Sequence, residues 1–492
     1  MLKPANQTHR MQPRTALLEL AAPSFYWYDL ETSGIDPRWH RVMQFAGIRT
    51  DLDLNEVGDQ FSTYVKLPID VLPDPHSCLV TGLTPQFVNE HGIDELSFFC
   101  RVNDVFSTPL TCVAGFNNLR FDDEFIRYGL YRHLFDPYAR EWKNGNSRWD
   151  IIDLVRAAYA LRPEGIDWPL EDGLPTFRLE ALTGANRLPH ESAHDALSDV
   201  RATVALARLL KQRQPKLFDF YLKLRDRAEV RRILAPGEWC MCLHVSGMFP
   251  RERHCVAPIV ALAPHPQNSN SVIVADLGRD VTPWLHWDAD RIREALFSPG
   301  STERPGLKEV RLNRSPFVAP TSALRTEDAQ RLGIDLAEAQ RQLEMLRGVE
   351  RLTETLHAVY VISKRDPALD IDAALYAELM SDRDRITRER VRQALVSAAG
   401  FDVQPVYDAK AAELAFRVRA RAHHATLCST DQEKWRQWTK QKLLSERPGM
   451  MDLRRYEELV TTMSACQLNE RDRSIVSRLS KYFDSIAMAL NL

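Results

Sequence analysis

Long hydrophobic runs are missing from this sequence: no stretch of about 18 apolar residues occurs, which excludes a membrane-spanning helix. The segment Met1–Pro23 carries charges through its short apolar run and lacks the layout of a signal peptide, so a cytoplasmic protein is expected. Cysteine is sparse and scattered. None of the eight (Cys78, Cys100, Cys112, Cys240, Cys242, Cys255, Cys428, Cys466) stands in CxxC spacing, which argues against a zinc ribbon or a disulfide framework and suits a reducing compartment. A surplus of one charge is missing too, since 64 Lys and Arg meet 67 Asp and Glu, for a net charge of −3. Nucleic-acid binders often show a basic surplus, yet a balanced total can hide a basic face, so charge alone decides nothing. Internal repeats and low-complexity tracts are absent.

What is present is a chain of 492 residues, enough for about three domains. Its 44% hydrophobic and 27% charged residues are the make-up of an ordinary globular protein. Residues 1–23 are polar and carry Pro4 and Pro13, and a disordered tail is expected there. Strand signals then cover Ser24–Tyr28, Val42–Thr50 and Phe61–Leu67. Helical patterns cover Pro85–Phe106, Phe121–Leu134 and Ile151–Leu161, with a buried strand at Thr111–Phe116 between the first two. The best-marked helix, Asp195–Gln212, aligns Ala196, Val200, Thr203, Ala207 and Leu210 on one stripe. This alternation predicts a mixed α/β domain. A seam follows at Gln214-Pro215, inside a basic segment containing Lys211, Arg213, Lys216, Arg225, Arg227, Arg231 and Arg232 that is expected to form a groove wall between the domains. Short β runs at Cys240–Val245, Ile259–Leu262, Ser271–Leu277 and Val310–Leu312 predict a small barrel or sandwich, and the chain beyond Pro367 reads as a helix bundle.

Three acidic signals stand in the first domain. Asp29 and Glu31 alternate along a strand and therefore share one face of the sheet, where two carboxylates repel unless a cation lies between them. Asn117 to Asp122 ends a strand and starts a helix, with Asp123 beside Asp122 leaving the register open. Asp199 shares the apolar stripe of its helix, where a carboxylate needs a partner, and the helix start favours its ionised form. His194 precedes that helix on a loop.

In this order the residues resemble the DEDDh 3′→5′ exonucleases, whose motifs are D-x-E on the first strand, N-x3-F-D at the second site and H-x4-D at the third. Asn117 with Phe121-Asp122 fits the second motif and selects Asp122 over Asp123. The stretches Gly115–Glu124, Asn146–Asp150, Ala160–Ile166, Gly173–Glu180 and His244–Phe249 are similar to those of bacterial exodeoxyribonuclease I. The resemblance implies a ribonuclease H-like exonuclease domain over 24–205. An SH3-like barrel domain over 215–364 and an all-helical C-terminal domain over 367–490 would follow. It also implies degradation of single-stranded DNA from the 3′ end to 5′-mononucleotides, in DNA repair and recombination.

By the same resemblance Asp29, Glu31, Asp122, His194 and Asp199 are the catalytic set. Asp29, Glu31 and Asp199 would ligate two Mg²⁺ (or Mn²⁺) ions, Asp122 would reach a metal through water, and His194 would deprotonate the attacking water. Arg178, Arg162, Arg127, Tyr138, Trp142 and Arg156, with Glu31, are the expected strand contacts. Arg325 and Arg347 flank a pattern of Leu332, Leu336, Leu343 and Leu346. They are the expected contacts for the acidic C-terminal tail of the single-stranded-DNA-binding protein. A monomer is expected. The competing readings are a DEDDh exoribonuclease or proofreading exonuclease, and, from another class, a non-catalytic single-strand-binding scaffold.

Overall fold

Strand β1 (Ser24–Thr32) pairs antiparallel with β2 (Val42–Thr50) and parallel with β4 (Thr111–Gly115). Adding β3 (Phe61–Tyr64) and β5 (Ser147–Asp150) gives a mixed sheet in the order β3-β2-β1-β4-β5. The computed structural model describes residues 22–190, 195–361, 370–377, 381–397 and 408–491, so the expected tail falls outside the described residues up to position 21. Strand alternation sorts the aromatic run of β1 between two cores. Phe25 and Trp27 face Ile48, Ala114 and Trp149 on one side, whereas Tyr26, Tyr28 and Leu30 face Phe45, Phe98 and Phe106 on the other.

Helices α1 (Pro75–Thr81), α2 (Pro85–His91), α3 (Glu95–Phe106) and α4 (Asp122–Arg132) follow the first strands. The single helix expected over Pro85–Phe106 is a correction: it is broken at Gly92–Asp94. Ile93 leaves the helix to bridge Val65 beyond β3, and Asp94 caps a new helix by accepting from the Ser97 N–H at 2.9 Å. A side chain at position 92 would strike the Tyr64 carbonyl, which fixes glycine at the break. Helix α1 is an addition to the expected elements, although Asp74, Pro75 and Gly82 supply its N-cap, first turn and left-handed C-cap. Helices α3 and α4 cover the Tyr26 face of the sheet. Helices α5 (Ile152–Leu161), α6 (Leu179–Ala185) and α7 (Ala196–Arg213) cover the Phe25 face. The result is the ribonuclease H-like arrangement that the resemblance implies.

A short ribbon, β6 (Leu170–Glu171) with β7 (Leu174–Pro175), lies between α5 and α6. After α7, helices α8 (Pro215–Lys223) and α9 (Arg227–Leu234) lead to a second sheet. Its strands are β8 (Met241–Val245), β9 (Val256–Pro264), β10 (Ser271–Asp276), β11 (Leu307–Arg311) and β12 (Phe317–Pro320), all antiparallel in the order β11-β10-β9-β8-β12. The expected seam at Gln214-Pro215 is no loose linker. Phe218 and Tyr221 of α8 sink between Trp149 of the first sheet and Phe317 of the second, in one continuous core. The Tyr221 hydroxyl lies 2.9 Å from the Asp150 carbonyl and 2.7 Å from that of Ser315.

Helix α10 (Ala289–Phe297) interrupts the second sheet, and α11 (Thr326–Leu332), α12 (Leu336–Arg347) and α13 (Leu352–Tyr360) follow it. The C-terminal part is helical: α14 (Asp382–Ser397), α15 (Ala409–Ala422), α16 (Ser429–Leu444), α17 (Leu453–Ser464) and α18 (Glu470–Leu490). These helices return to the first domain, where α15 meets α3 and α18 meets α1 and α2. Buried charges join the two parts. Asp70 accepts from Arg421 and from Lys442, both at 2.7 Å, and Asp372 accepts from Arg421 at 2.5 Å and pairs with Arg41 and Arg417 at 3.5 Å. Burial works against these carboxylates being charged, yet Arg421 and Lys442 hold both well below the usual range, with Arg417 adding to the effect on Asp372. Among the described residues no helix is long and apolar enough to cross a membrane.

Candidate active site

The face of β1 that buries Phe25 and Trp27 continues as Asp29 and Glu31. Helix α7 packs on that same face, so its first turn arrives over the two carboxylates. Asp195 sets the approach. As N-cap it accepts from the Ser198 N–H at 3.2 Å, and its other oxygen accepts from Gln44 of β2 at 2.8 Å. Asp199, one turn later, completes the group: Asp29, Glu31 and Asp199 each offer a ligand oxygen, and all three lie within 4.8 Å of one another.

Asp122 reaches the site by a different route. Strand β4 ends at Gly115, where an added side chain would strike the Tyr28 carbonyl. The backbone then turns through Asn117, which is in the left-handed region with φ 61°. Asp150 at the end of β5 holds that turn, accepting from the Asn117 N–H at 2.8 Å and the Leu119 N–H at 3.2 Å. Burial pushes the Asp150 carboxyl up to about 6, with its N–H donors pulling the other way. Helix α4 thus starts at a fixed place, with Asp122 facing the carboxylates of β1.

Three groups at the site are driven toward protonation. Burial, then Asp122, Glu31 and Asp199, push Asp29 well above the carboxylate range. Burial, then Asp199 and Asp122, push Glu31 up to about 8, and burial first, with Asp150 and Asp123, pushes Asp122 to about 8. Like charges this close cannot all ionise in a low dielectric without a counter-charge. An all-oxygen donor set fits a hard divalent cation, Mg²⁺ or Mn²⁺, better than a soft one.

The carboxylates line a cavity of about 930 Å³. Phe116, Phe121, Arg156, Phe177, Arg178 and His190 also line it, and the second domain contributes Gly247, Phe249, Pro250, Arg251 and Cys255. Of these, Gly247 and Phe249 belong to the family-like stretch His244–Phe249. His190 was missed: its Nε2 is 2.6 Å from Asp199 Oδ1. The expected histidine, His194, lies outside the described residues.

The expected strand contacts divide. Arg156 and Arg178 line the cavity, Arg156 bonded to Asp153 at 2.6 Å and Arg178 paired with Glu171. Trp142 stands elsewhere, 61% exposed, with the Lys143 ammonium 5.6 Å from its ring. Arg162 donates to the Ala323 carbonyl at 3.1 Å. Arg127 is buried and bonded to Glu141 and Glu124, with the Tyr138 ring 5.3 Å from its guanidinium. Neither Arg127 nor Tyr138 lines the carboxylate cavity.

The basic segment does not line that cavity either. Lys211 is tied to the Leu52 carbonyl and Asp53, Arg231 to the Ser269 carbonyl and Arg232 to Glu229. Of the expected partner contacts, Arg325 is bonded to Asp328 at 2.5 Å and Glu164 at 2.6 Å, while Arg347 is half exposed with Glu344 3.6 Å away.

Three family models match in succession: "Exonuclease" over residues 26–207, "Exonuclease I SH3-like domain" over 225–362 and "Exonuclease I C-terminal domain" over 369–486. Exodeoxyribonuclease I of Haemophilus influenzae is 41% identical over 429 residues, covering 85% of this chain and 90% of that protein. Among solved structures, exonuclease I from Methylocaldum szegediense superposes with a TM-score of 0.88 at 44% identity, covering 94% of this chain and all (100%) of that one. Escherichia coli exonuclease I in complex with a dA16 oligonucleotide gives 0.88 at 37% identity, covering 94% and 100%. A structure of SSB/exonuclease I in complex with the inhibitor CFAM gives 0.85 at 36%, covering 95% and 100%.

Proposed function

The chain belongs to the exodeoxyribonuclease I family and is a 3′→5′ exonuclease on single-stranded DNA; on that footing we propose that it cuts by two-metal-ion hydrolysis. The observation that carries the mechanism is the trio of ligand oxygens on Asp29, Glu31 and Asp199 within 4.8 Å of one another. Asp29, Glu31 and Asp199 would hold two Mg²⁺ or Mn²⁺ ions directly, with Asp122 reaching one through water. Bound there, the ions supply charge neutralisation for the phosphodiester and a more acidic attacking water. His194 takes the proton from that water. Arg156 and Arg178 fork the phosphates next to the scissile bond, and the half-buried Phe177 offers a ring face to a terminal base. Trp142 stacks on a base further along the strand. The buried Arg127 acts only indirectly, by holding the acids around Asp123.

Products are 5′-mononucleotides. The setting we propose is a cytoplasmic monomer working in DNA repair and recombination. Its partner is the single-stranded-DNA-binding protein, whose acidic tail docks at Arg325 and Arg347. Arg325 must exchange an internal carboxylate for one of the tail to do so. The reading as an exoribonuclease, a proofreading subunit or an idle scaffold gives way to the family membership.

The test is digestion of single strands labelled at either end, with Mg²⁺ and with excess chelator. Label at the 3′ end should be released first, as mononucleotide, and only with metal. Asp29→Ala and Asp199→Ala should abolish release. Undiminished cleavage in chelator or in both variants would overturn the metal mechanism.

A further inference from the structure

His190 lines the carboxylate cavity, and the chemistry proposed above gives it no task. Its side chain is almost fully buried at 8% exposure, and both ring nitrogens are engaged. Nε2 lies 2.6 Å from Asp199 Oδ1, and Nδ1 lies 3.0 Å from Thr183 Oγ1. An ionised carboxylate only accepts, so Nε2 carries the proton that is donated to Asp199. Nδ1 then accepts the one hydroxyl hydrogen of Thr183, which is wholly buried on α6 with its oxygen 2.9 Å from the Leu179 carbonyl and 3.0 Å from that of Glu180. The backbone leading to His190 is tied to the same helix, because the Leu188 N–H donates to the Thr183 carbonyl at 2.9 Å. A continuous set of bonds therefore runs from α6 through the imidazole to Asp199 on α7.

We infer that His190 is a positioning residue: it fixes the Asp199 carboxylate for divalent-cation binding. The inference rests on the reading of Asp199 as a metal ligand. A carboxylate on a helix can rotate about its last torsion, and any turn short of the half-turn that exchanges its two oxygens carries the ligand oxygen away from its place beside Asp29 and Glu31. One short bond to a ring that is anchored at its far side removes most of that freedom before any cation arrives. Ligating carboxylates are characteristically held by such outer hydrogen bonds, and losing one weakens metal affinity. The same geometry separates the two histidines of this segment. With Nε2 spent on Asp199 and Nδ1 on Thr183, His190 has no nitrogen for an attacking water, and the proton transfer stays with His194.

The test is Mn²⁺ titration of the full chain without DNA, followed by calorimetry or by the Mn²⁺ resonance signal. His190→Ala should bind Mn²⁺ about 10–100-fold more weakly. His190→Gln, which keeps an N–H donor, should regain part of that loss, and Thr183→Val should show a smaller loss in the same direction. In cleavage assays the Mg²⁺ concentration for half activity should rise in His190→Ala, with activity recovering as metal is added. His194→Ala should lose cleavage at every metal concentration while its Mn²⁺ affinity stays put. Wild-type Mn²⁺ affinity in folded His190→Ala would overturn the positioning role. If that variant does not fold, wild-type affinity in both His190→Gln and Thr183→Val, together with a third variant His190→Phe, would do the same. If wild-type protein neither binds Mn²⁺ nor cleaves, the proposed function falls instead, and the two failures are distinct.

Discussion

Asp122 and Asp123 stand side by side at the start of α4, both buried, and their surroundings drive them in opposite directions. Asp122 faces the site carboxylates and is pushed up to about 8, chiefly by burial. Asp123 points to the other side of the helix, where burial is outweighed by Arg140, Arg148 and Arg127 and the carboxyl is held well below its ordinary range. Arg140 donates to it at 2.5 Å, and Arg148 pairs with its second oxygen. One acid stands among like charges, and the other is neutralised by the protein's own guanidinium groups.

The two should therefore separate cleanly on substitution. Asp122→Asn should abolish nuclease activity with little loss of stability, because burial already drives that carboxyl toward its neutral form. Asp123→Asn should cost about 3–5 kcal/mol by leaving buried guanidinium groups uncompensated. Urea unfolding and a nuclease assay on both variants check this, and equal destabilisation of the pair would contradict it.

Metal and pH should be linked through Glu31. Its folded value of about 8 lies above the ordinary glutamate range, so the neutral form is the one the metal-free fold favours. Stability from that proton is complete below about pH 4.5 and is lost as pH rises through about 8. The melting temperature of metal-free protein should fall between pH 6 and 9, with Mg²⁺ restoring more at pH 9 than at pH 6. Mg²⁺ binding near neutral pH should release protons, visible as a buffer-dependent calorimetric heat. A melting temperature insensitive to pH without metal would count against the arrangement.

The clasp between the first and last parts of the chain should be acid-labile. Asp70 and Asp372 are held below their ordinary range, so their contribution is present above about pH 4 and is lost as pH falls further. Arg421→Met removes the guanidinium they share and should cost about 3–5 kcal/mol. Denaturant curves at about pH 7 and about pH 2 should show the variant losing less than wild type on acidification.

Arg178 is 69% exposed in the cavity wall, where a phosphate can replace Glu171 as its partner. Arg178→Ala should weaken single-strand binding by a similar factor for all base sequences and lower the salt slope by about 0.7. Trp142→Ala should cost about 1–3 kcal/mol of binding through lost stacking, with the salt slope unchanged. Fluorescence titrations of poly-dT and poly-dA at several salt concentrations distinguish the two losses.

Much of the site was legible before any coordinates, because its signals are periodic or local. Period-two alternation put Asp29 and Glu31 on one face, and the apolar stripe of α7 carried Asp199 toward that same core. Motif spacing then singled out Asp122, a choice that periodicity alone left open. The rest depended on partners that no local rule can reach. Asp123 is tied to residues 17 and 25 positions away, and Asp70 to a lysine 372 positions away. The wall of Gly247–Arg251 comes from the second domain, and His190 sits on a loop without a repeating pattern. Local sequence decides which face a side chain takes, since the backbone repeat is a property of a few neighbouring residues. Which groups meet across that face is decided only when distant segments pack, because burial and charge pairing are properties of the whole folded chain.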